Sequence, residues 1–262
     1  MNISKKIYSE YDSWYSFYEK HDSIKNNPIH MSWHDLFKNK IFIDNRFTDI
    51  EKELEELADK HLQIYPKPSL VFNAFSITAF DELKVVILGQ DPYFNCEYYN
   101  NQIVPQATGL SFSTPSGVNI PSSLRNIFAN QLKFNHMHCM PKSGDLTFWA
   151  CQGCLMLNTA LTVVDGKKNC HSKMWKWVTD MIIKYISDKC DYVVFVMWGL
   201  PAYSKLKLID LNKHDTVISS HPSGLSANTG MRNYSSFNSQ DHFNIINNCL
   251  EKNGKSKMLW QL

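Results

Sequence analysis

The sequence has few of the features that mark membrane or secreted proteins. None of its windows approaches 18 uninterrupted apolar residues, so we expect no transmembrane helix and no membrane partner. The N-terminal segment lacks the apolar stretch of a signal peptide and reads MNISKKIYSEYDSWYSFYEKHDS, which predicts an intracellular protein. The seven cysteines are an odd number without regular spacing, so we expect reduced thiols rather than disulfides.

Strong charge and nucleotide-binding loops are missing as well. The formal net charge is only +2, so a nucleic acid would have to bind a local basic patch. Neither G-x-G-x-x-G nor G-x-x-x-x-G-K-[ST] occurs, which argues against a dinucleotide or nucleoside triphosphate site. The sequence also has no serine or cysteine nucleophile elbow beside its polar strand ends, which argues against acyl transfer.

What the sequence does contain is four short apolar runs separated by amphipathic stretches of helical length. With 44% hydrophobic and 13% aromatic residues, the chain has enough apolar side chains for a large core. This alternation predicts an α/β fold, in which a parallel sheet is flanked by crossover helices. The predicted strands are 85–88, 154–157, 192–197 and 216–218, and the predicted helices among and after them are 121–134, 175–187 and 241–250.

Polar side chains follow three of these runs. Asp91 lies in the turn after the first run, Asn158 directly follows the second, and His221 follows the fourth. Because parallel strands end at the same edge of a sheet, we expect these three side chains to share one crevice. Together they could stabilise a cation, read a planar amide edge and donate to a developing anion. For Asp91 alone an ordinary turn is the alternative, since Asp-Pro is common turn chemistry.

One motif suggests a different chemistry. Cys151 and Cys154 form a C-x-x-C pair, with His136, His138 and Cys139 upstream, which could indicate zinc or a redox pair. We favour a structural interpretation, because Cys154 opens a predicted buried strand and no second well-spaced pair completes four ligands. The sequence therefore predicts no metal site.

The first part of the chain is harder to interpret. We take residues 1–31 as an N-terminal extension, helical in part around 11–18, and 32–262 as one catalytic domain. Residues 32–35 could open a short helix, and 50–62 has the pattern of a surface helix. Residues 95–108 are expected to form a long irregular segment that is functional or mobile.

Several motifs together resemble the uracil-DNA glycosylases of family 1. They are GQDPY at 89–93, QATGLSFS at 106–113, GDL at 144–146, WA at 149–150, QG at 152–153, LN at 157–158, LTV at 161–163 and HPSGLSA at 221–227. The resemblance runs from about Ser32 to the C-terminal end and implies a single domain with a central four-stranded parallel sheet flanked by helices. It also implies excision of uracil from single- or double-stranded DNA by a monomer that needs no cofactor.

The resemblance further implies roles for residues around the base. Asp91 would orient the attacking water and stabilise an oxocarbenium-like sugar, while a neutral His221 would donate to a uracil oxygen. Asn158 would read the uracil edge and Gln90 would supply a backbone contact. Two aromatic side chains complete the predicted pocket, with Phe112 stacking on the base and Tyr93 filling the space that a 5-methyl group needs.

The remaining implied roles concern the DNA strand. Leu225 would wedge into the duplex as the base leaves the stack. Ser123, Ser223 and Ser226 would bind phosphates, which positions a strand without reading its sequence. Taken singly, Leu225 reads as a loop residue and Phe112 as a core residue.

The sequence departs from the family at several points, which leaves two alternatives open. Phe94 and Gly224 stand where the family usually has His and Pro, 95–106 is longer than usual, and 119–123 is a thinned form of the proline-rich phosphate loop. One alternative is an enzyme with shifted damage specificity. The other is a catalytically weak DNA-binding or replication-accessory module. The presence of Asp91, Asn158 and His221 favours an enzyme.

Overall fold

A computed structural model describes residues 13–262 of the chain. Its strands are β1 Ile64–Tyr65, β2 Val85–Gly89, β3 Cys96–Tyr99, β4 Gln102–Pro105, β5 Cys154–Asn158, β6 Val163–Val164, β7 Val194–Trp198 and β8 Asp215–Ser219. Its α-helices are α1 Trp14–Glu19, α2 His34–Leu36, α3 Asn45–Asp59, α4 Asn73–Ile77, α5 Ser122–Lys133, α6 Thr147–Ala150, α7 Ser172–Lys189, α8 Leu200–Tyr203 and α9 His242–Lys252.

The central sheet has four parallel strands in the order β5-β2-β7-β8, which confirms the predicted fold class. Strands β2, β5 and β7 are fully buried, as expected for near-continuous apolar runs covered by helices on both faces. In the register of the sheet, Gly89 pairs with Asn158 and Trp198 pairs with Ser219. The strands therefore end together, and the turns that follow them lie along one edge.

The helices predicted at 121–134, 175–187 and 241–250 agree with α5, α7 and α9 to within a few residues, whereas α3 differs more from its predicted position. That helix was expected at 50–62 but begins five residues earlier, because the side chain of Asp44 caps it by accepting from the backbone N–H of Arg46 at 2.9 Å. It ends at Asp59, and His61 has a left-handed φ of 54° that is incompatible with a continuing helix.

Part of the predicted N-terminal extension packs on the core. Within the predicted helical stretch 11–18, helix α1 begins at Trp14, while residues 1–12 lie outside the described part of the chain. Trp14 is buried, and its indole N–H donates to the backbone oxygen of Pro66 at 2.9 Å. Ile24 belongs to the same core cluster. The boundary at residue 32 stays a prediction.

The segment that follows contains three helix types in succession. A 3-10 turn at Met31–Trp33 leads into α2, which continues as a π-helical stretch at Phe37–Ile41. The sequence had predicted only a short helix beginning at 32–35. Trp33 and Phe37 are fully buried here, so tertiary packing stabilises a backbone that propensity alone does not select.

The prediction of an irregular segment at 95–108 is wrong for most of that range. Strands β3 and β4 form an antiparallel hairpin, with Cys96 opposite Pro105. Its two-residue turn consists of Asn100 and Asn101, both with left-handed φ angles, of 49° and 61°. Such a turn matches the twist of a hairpin, and asparagine tolerates it better than most residues.

Across residues 13–262, the helices are all too short or too polar to span a lipid bilayer.

Candidate active site

A cleft of about 520 Å³ opens at the carboxyl edge of the central sheet. The structure brings every side chain predicted for the site to this cleft. Those lining residues are Gln90, Asp91, Tyr93, Phe112, Ser123, Asn158, His221, Ser223, Leu225 and Ser226. Their arrangement is a geometric finding, and their individual roles stay predictions.

Asp91 lies in the turn after β2 and is half-buried. One of its carboxylate oxygens, Oδ2, accepts from the backbone N–H of Asn169 at 2.8 Å. Burial raises the pKa of Asp91 above its usual 3.8, whereas the hydrogen bond from Asn169 and the charge of Lys168 oppose that shift. A backbone donor from the loop between β6 and α7, far away in sequence, thus helps to hold the carboxylate.

His221 follows β8, and its ring is oriented by the next turn. The backbone N–H of Ser223 donates to Nδ1 at 3.0 Å, so the proton of the neutral ring is assigned to Nε2. Burial, assisted by the charge of Lys168, lowers the pKa of His221 to about 4. The imidazole is therefore neutral at physiological pH and can act as a hydrogen-bond donor.

The backbone around these residues leaves space only for glycine. Gly199, which follows β7, has a φ of 96°, and a Cβ there would lie 2.9 Å from the Cβ of His221. A Cβ on Gly89 would lie 2.3 Å from Oδ1 of Asn158. The two glycines thus allow the side chains of His221 and Asn158 to approach the ends of the neighbouring strands.

Asn158 and two aromatic residues form the inner pocket. Asn158 is only 6% exposed, and its side-chain amide makes no hydrogen bond to another residue in the described range. Phe112 adopts a left-handed φ of 63° and lies with its ring centroid 5.9 Å from that of His221. Behind it, the ring of Trp198 packs edge-on at 5.6 Å. A left-handed phenylalanine is strained, so packing holds this ring in place.

Tyr93 closes the side of the pocket nearest to β2. Its hydroxyl donates to the backbone oxygen of Phe112 at 3.2 Å, and burial raises its pKa. The next residue, Phe94, is half-buried and packs on the small apolar cluster of Tyr65, Ala107 and Val163. Apolar packing thus accounts for a phenylalanine at the position where the family usually has histidine.

The rim of the cleft carries Leu225, whose side chain is 97% exposed. Its loop is nevertheless fixed on both sides. The amide of Asn126 on α5 donates to the backbone oxygen of Pro222 at 2.7 Å, and the hydroxyl of Ser220 donates to the backbone oxygen of Ser226 at 2.9 Å. Gly224 has open space around it and makes no close approach.

The loop before α5 is tied to the unexpected hairpin. Glu97 on β3 accepts from both the backbone and the side-chain N–H groups of Asn119, each at 2.8 Å. The ring of Tyr99 packs so closely on Gly117 that a Cβ there would lie 2.4 Å away. The hairpin therefore supports the loop that leads to Ser123.

The cysteine pair is divided between two environments. Cys154 is buried in β5, and burial raises the pKa of its thiol, whereas Cys151 is exposed. Residues 13–262 contain no cluster of histidine, cysteine, aspartate or glutamate side chains suited to a metal ion.

Sequence reasoning missed Lys168 and Asn169, which lie in the loop between β6 and α7. Besides donating to Asp91, Asn169 accepts through Oδ1 from the side-chain amide of Gln90. Neither residue belongs to a recognisable motif, and both are distant from Asp91 in sequence. Only the fold brings them to the cleft.

Three comparisons bear on the family. The model of the uracil DNA glycosylase superfamily matches residues 75–251. A probable uracil-DNA glycosylase of Acanthamoeba polyphaga mimivirus is 37% identical over 88% of this chain, which spans 64% of that viral protein. The uracil-DNA glycosylase of Aliarcobacter butzleri is 41% identical over 88% of this chain and the whole of that protein.

Solved structures agree with these relatives. The crystal structure of mimivirus uracil-DNA glycosylase superposes with a TM-score of 0.89 at 36% identity, and the match covers 95% of this chain and 94% of that one. The family model spans all the strand ends that form the cleft, and the bacterial relative and this superposition agree with it. The chain belongs to the uracil DNA glycosylase superfamily.

Proposed function

We propose that this chain is a monofunctional uracil-DNA glycosylase that hydrolyses the N-glycosidic bond of uracil in DNA. It releases free uracil and leaves an abasic site for base excision repair. The observation that carries the proposal is the convergence of Asp91, Asn158 and a neutral His221 in one cleft at the ends of three different strands. The ten proposed site residues line one cleft, and we propose that the enzyme acts as a monomer on single- or double-stranded DNA.

The chemistry is electrostatic. As the bond between the sugar C1′ and the base N1 breaks, its electron pair leaves with uracil, and the sugar becomes cationic. The carboxylate of Asp91 stabilises that cation and orients the water, which adds to C1′ and loses a proton. The uracil anion takes up one proton in exchange, so the products are neutral uracil and the abasic sugar. The Nε2–H of His221 donates to the uracil oxygen that gains negative charge. A neutral imidazole suits this role because it donates without giving up its proton.

Recognition of the base requires a planar slot and a polar edge. The ring of Phe112 supplies the stacking face, and the amide of Asn158, which has no partner among the described residues, is available to pair with the imide edge of uracil. Cytosine mismatches that amide by roughly 1–3 kcal/mol per unsatisfied group. Tyr93 occupies the space that the 5-methyl group of thymine would need.

The rim supports extrusion of the nucleotide from DNA. An enzyme cannot reach a base inside the stack, so the base must be flipped out. The exposed Leu225, on a loop fixed at both ends, is placed to fill the gap in the duplex. Ser123, Ser223 and Ser226 lie around the same cleft and would bind the backbone phosphates.

The first experiment measures release of free uracil from uracil-containing oligonucleotides in the presence of a metal chelator. We expect release by the parent and a loss on the order of 10²–10³ in rate for His221→Ala. Asp91→Asn is assayed alongside His221→Ala. The matched controls are Asp49→Asn and His138→Ala, which make the same substitutions at exposed residues outside the cleft. A parent enzyme that binds DNA without releasing uracil would favour the accessory module instead.

A further inference from the structure

Lys168 is a basic side chain whose position in the cleft no sequence motif explains. Among the described residues that line the cleft, it is the sole lysine or arginine. It is exposed, and it forms neither an ion pair nor a hydrogen bond with any residue in the range 13–262. An ammonium group is therefore available at the mouth of a cleft that must admit a polyanion.

The backbone on both sides of Lys168 is anchored. On one side, Gly166 donates through its backbone N–H to the backbone oxygen of Phe94 at 3.0 Å. On the other, Asn169 donates to Asp91, and the Sγ of Cys170 accepts from the backbone N–H of Val164 at 3.2 Å. The side chain can move, but its Cα is fixed beside the reacting groups.

The position of this charge relative to the catalytic pair supports a role. Lys168 is close enough to both Asp91 and His221 to lower the pKa of each. The proposed phosphate-binding serines lie on α5 and in the loop after β8, whereas Lys168 lies in the loop between β6 and α7. A DNA strand entering the cleft would thus meet neutral hydroxyl donors from α5 and from the loop after β8. It would meet a full positive charge from the loop between β6 and α7.

We infer that Lys168 binds a backbone phosphate of the strand that carries the uracil. This inference rests on the proposed function. A lysine ammonium binds phosphate as a point charge, and its long side chain can follow the strand as the base is flipped. With a net charge of only +2, the chain has no strong global field, so one well-placed cation contributes a measurable share of DNA affinity.

Three variants test the inference: Lys168→Ala, Lys168→Arg and the control Lys167→Ala. Lys167 is the adjacent lysine, is also exposed, and lies outside the cleft. Binding is measured with a single-stranded oligonucleotide containing 2′-fluorinated deoxyuridine, because the electron-withdrawing fluorine destabilises the cationic sugar and blocks cleavage. Affinity is recorded by fluorescence anisotropy over a series of salt concentrations.

We expect Lys168→Ala to bind roughly two- to fivefold more weakly at low salt, as for an exposed ion pair. The slope of log affinity against log salt should fall in magnitude by about 0.7, which corresponds to one lost phosphate contact on a single strand. Lys168→Arg should retain the parental slope, and Lys167→Ala should match the parent. At neutral pH the single-turnover rate at saturating DNA should fall by a smaller factor than the affinity, because the contact forms in the ground state and transition state alike.

Two results would overturn the inference. One is a salt slope for Lys168→Ala that equals that of Lys167→Ala. The other is a lower rate at saturating DNA with unchanged affinity, which would mean that the lysine acts on Asp91 or His221 rather than on the strand. Failure of the proposed function would be seen separately, since it would abolish uracil release by the parent and leave the binding comparison readable.

Discussion

Gly89 offers a sharp test of how the sheet positions the side-chain amide of Asn158, which we propose reads the base. It ends β2 directly opposite Asn158, and an alanine Cβ would lie 2.3 Å from Oδ1 of that asparagine and 2.7 Å from the Cβ of Ser111. Ser111 is fully buried and cannot yield easily, because its backbone N–H donates to the backbone oxygen of Met156 at 2.9 Å. The Asn158 amide has no such anchor among the described residues, so the amide is the group that moves.

The size of that movement sets the expected loss. Ordinary van der Waals contact begins at 3.4 Å, so Oδ1 must shift by about 1 Å, and a misplacement of that size costs roughly 10²-fold in rate. We therefore expect Gly89→Ala to release uracil about 10²-fold more slowly in single-turnover assays. DNA affinity should change little, because the residues proposed to bind phosphates and to wedge into the duplex are untouched.

The added Cβ of Gly89→Ala could also slow the enzyme by destabilising the fold. The control variant must therefore introduce a steric clash of similar severity. Gly144 is buried outside the cleft, and a Cβ there would lie 2.2 Å from Oγ1 of Thr114. Both variants should have a lower thermal midpoint than the parent, and rates are compared well below either midpoint. Gly89→Ala activity within about threefold of Gly144→Ala, far short of the expected loss, would refute the argument that this glycine positions Asn158.

Four further predictions concern the catalytic pair and the pocket. The pH-rate profile should show no inflection at the ordinary histidine value of 6.5, since His221 has a pKa of about 4, and activity should fall only at lower pH as Asp91 and His221 bind protons; an inflection near 6.5 that His221→Ala removes would contradict this. Asp91→Asn should slow bond cleavage while leaving DNA affinity equal or higher, because a carboxylate near phosphates helps only the transition state; parallel losses in binding would speak against it. Leu225→Ala should weaken excision from duplex more than from single strands, and equal losses in the two assays would remove the wedge assignment. Tyr93→Ala should gain thymine excision while uracil excision falls, and a variant that cleaves uracil but stays inert to thymine would show that another residue guards the 5-position.

Much of the fold follows from local sequence. Apolar runs such as 85–88 can only be buried on both faces, and the helical stretches between them force parallel connections, so the sheet and its active edge were predictable. The convergence of Asp91, Asn158 and His221 follows from the same logic, because strand ends share an edge wherever the strands lie in the sheet. These are properties of hydrophobic period and chain connectivity, which the sequence alone contains.

Other features required the tertiary structure, because they depend on contacts between residues far apart in sequence. The hairpin at 96–105 was missed because its left-handed Asn100 and Asn101 have only a weak local signal, while Glu97 and the distant loop before α5 stabilise it. The donor to Asp91 comes from Asn169, 78 positions away, and Lys168 reaches the cleft through the same loop. Burial, which sets the protonation states of Asp91 and His221, exists only once the strands are packed together.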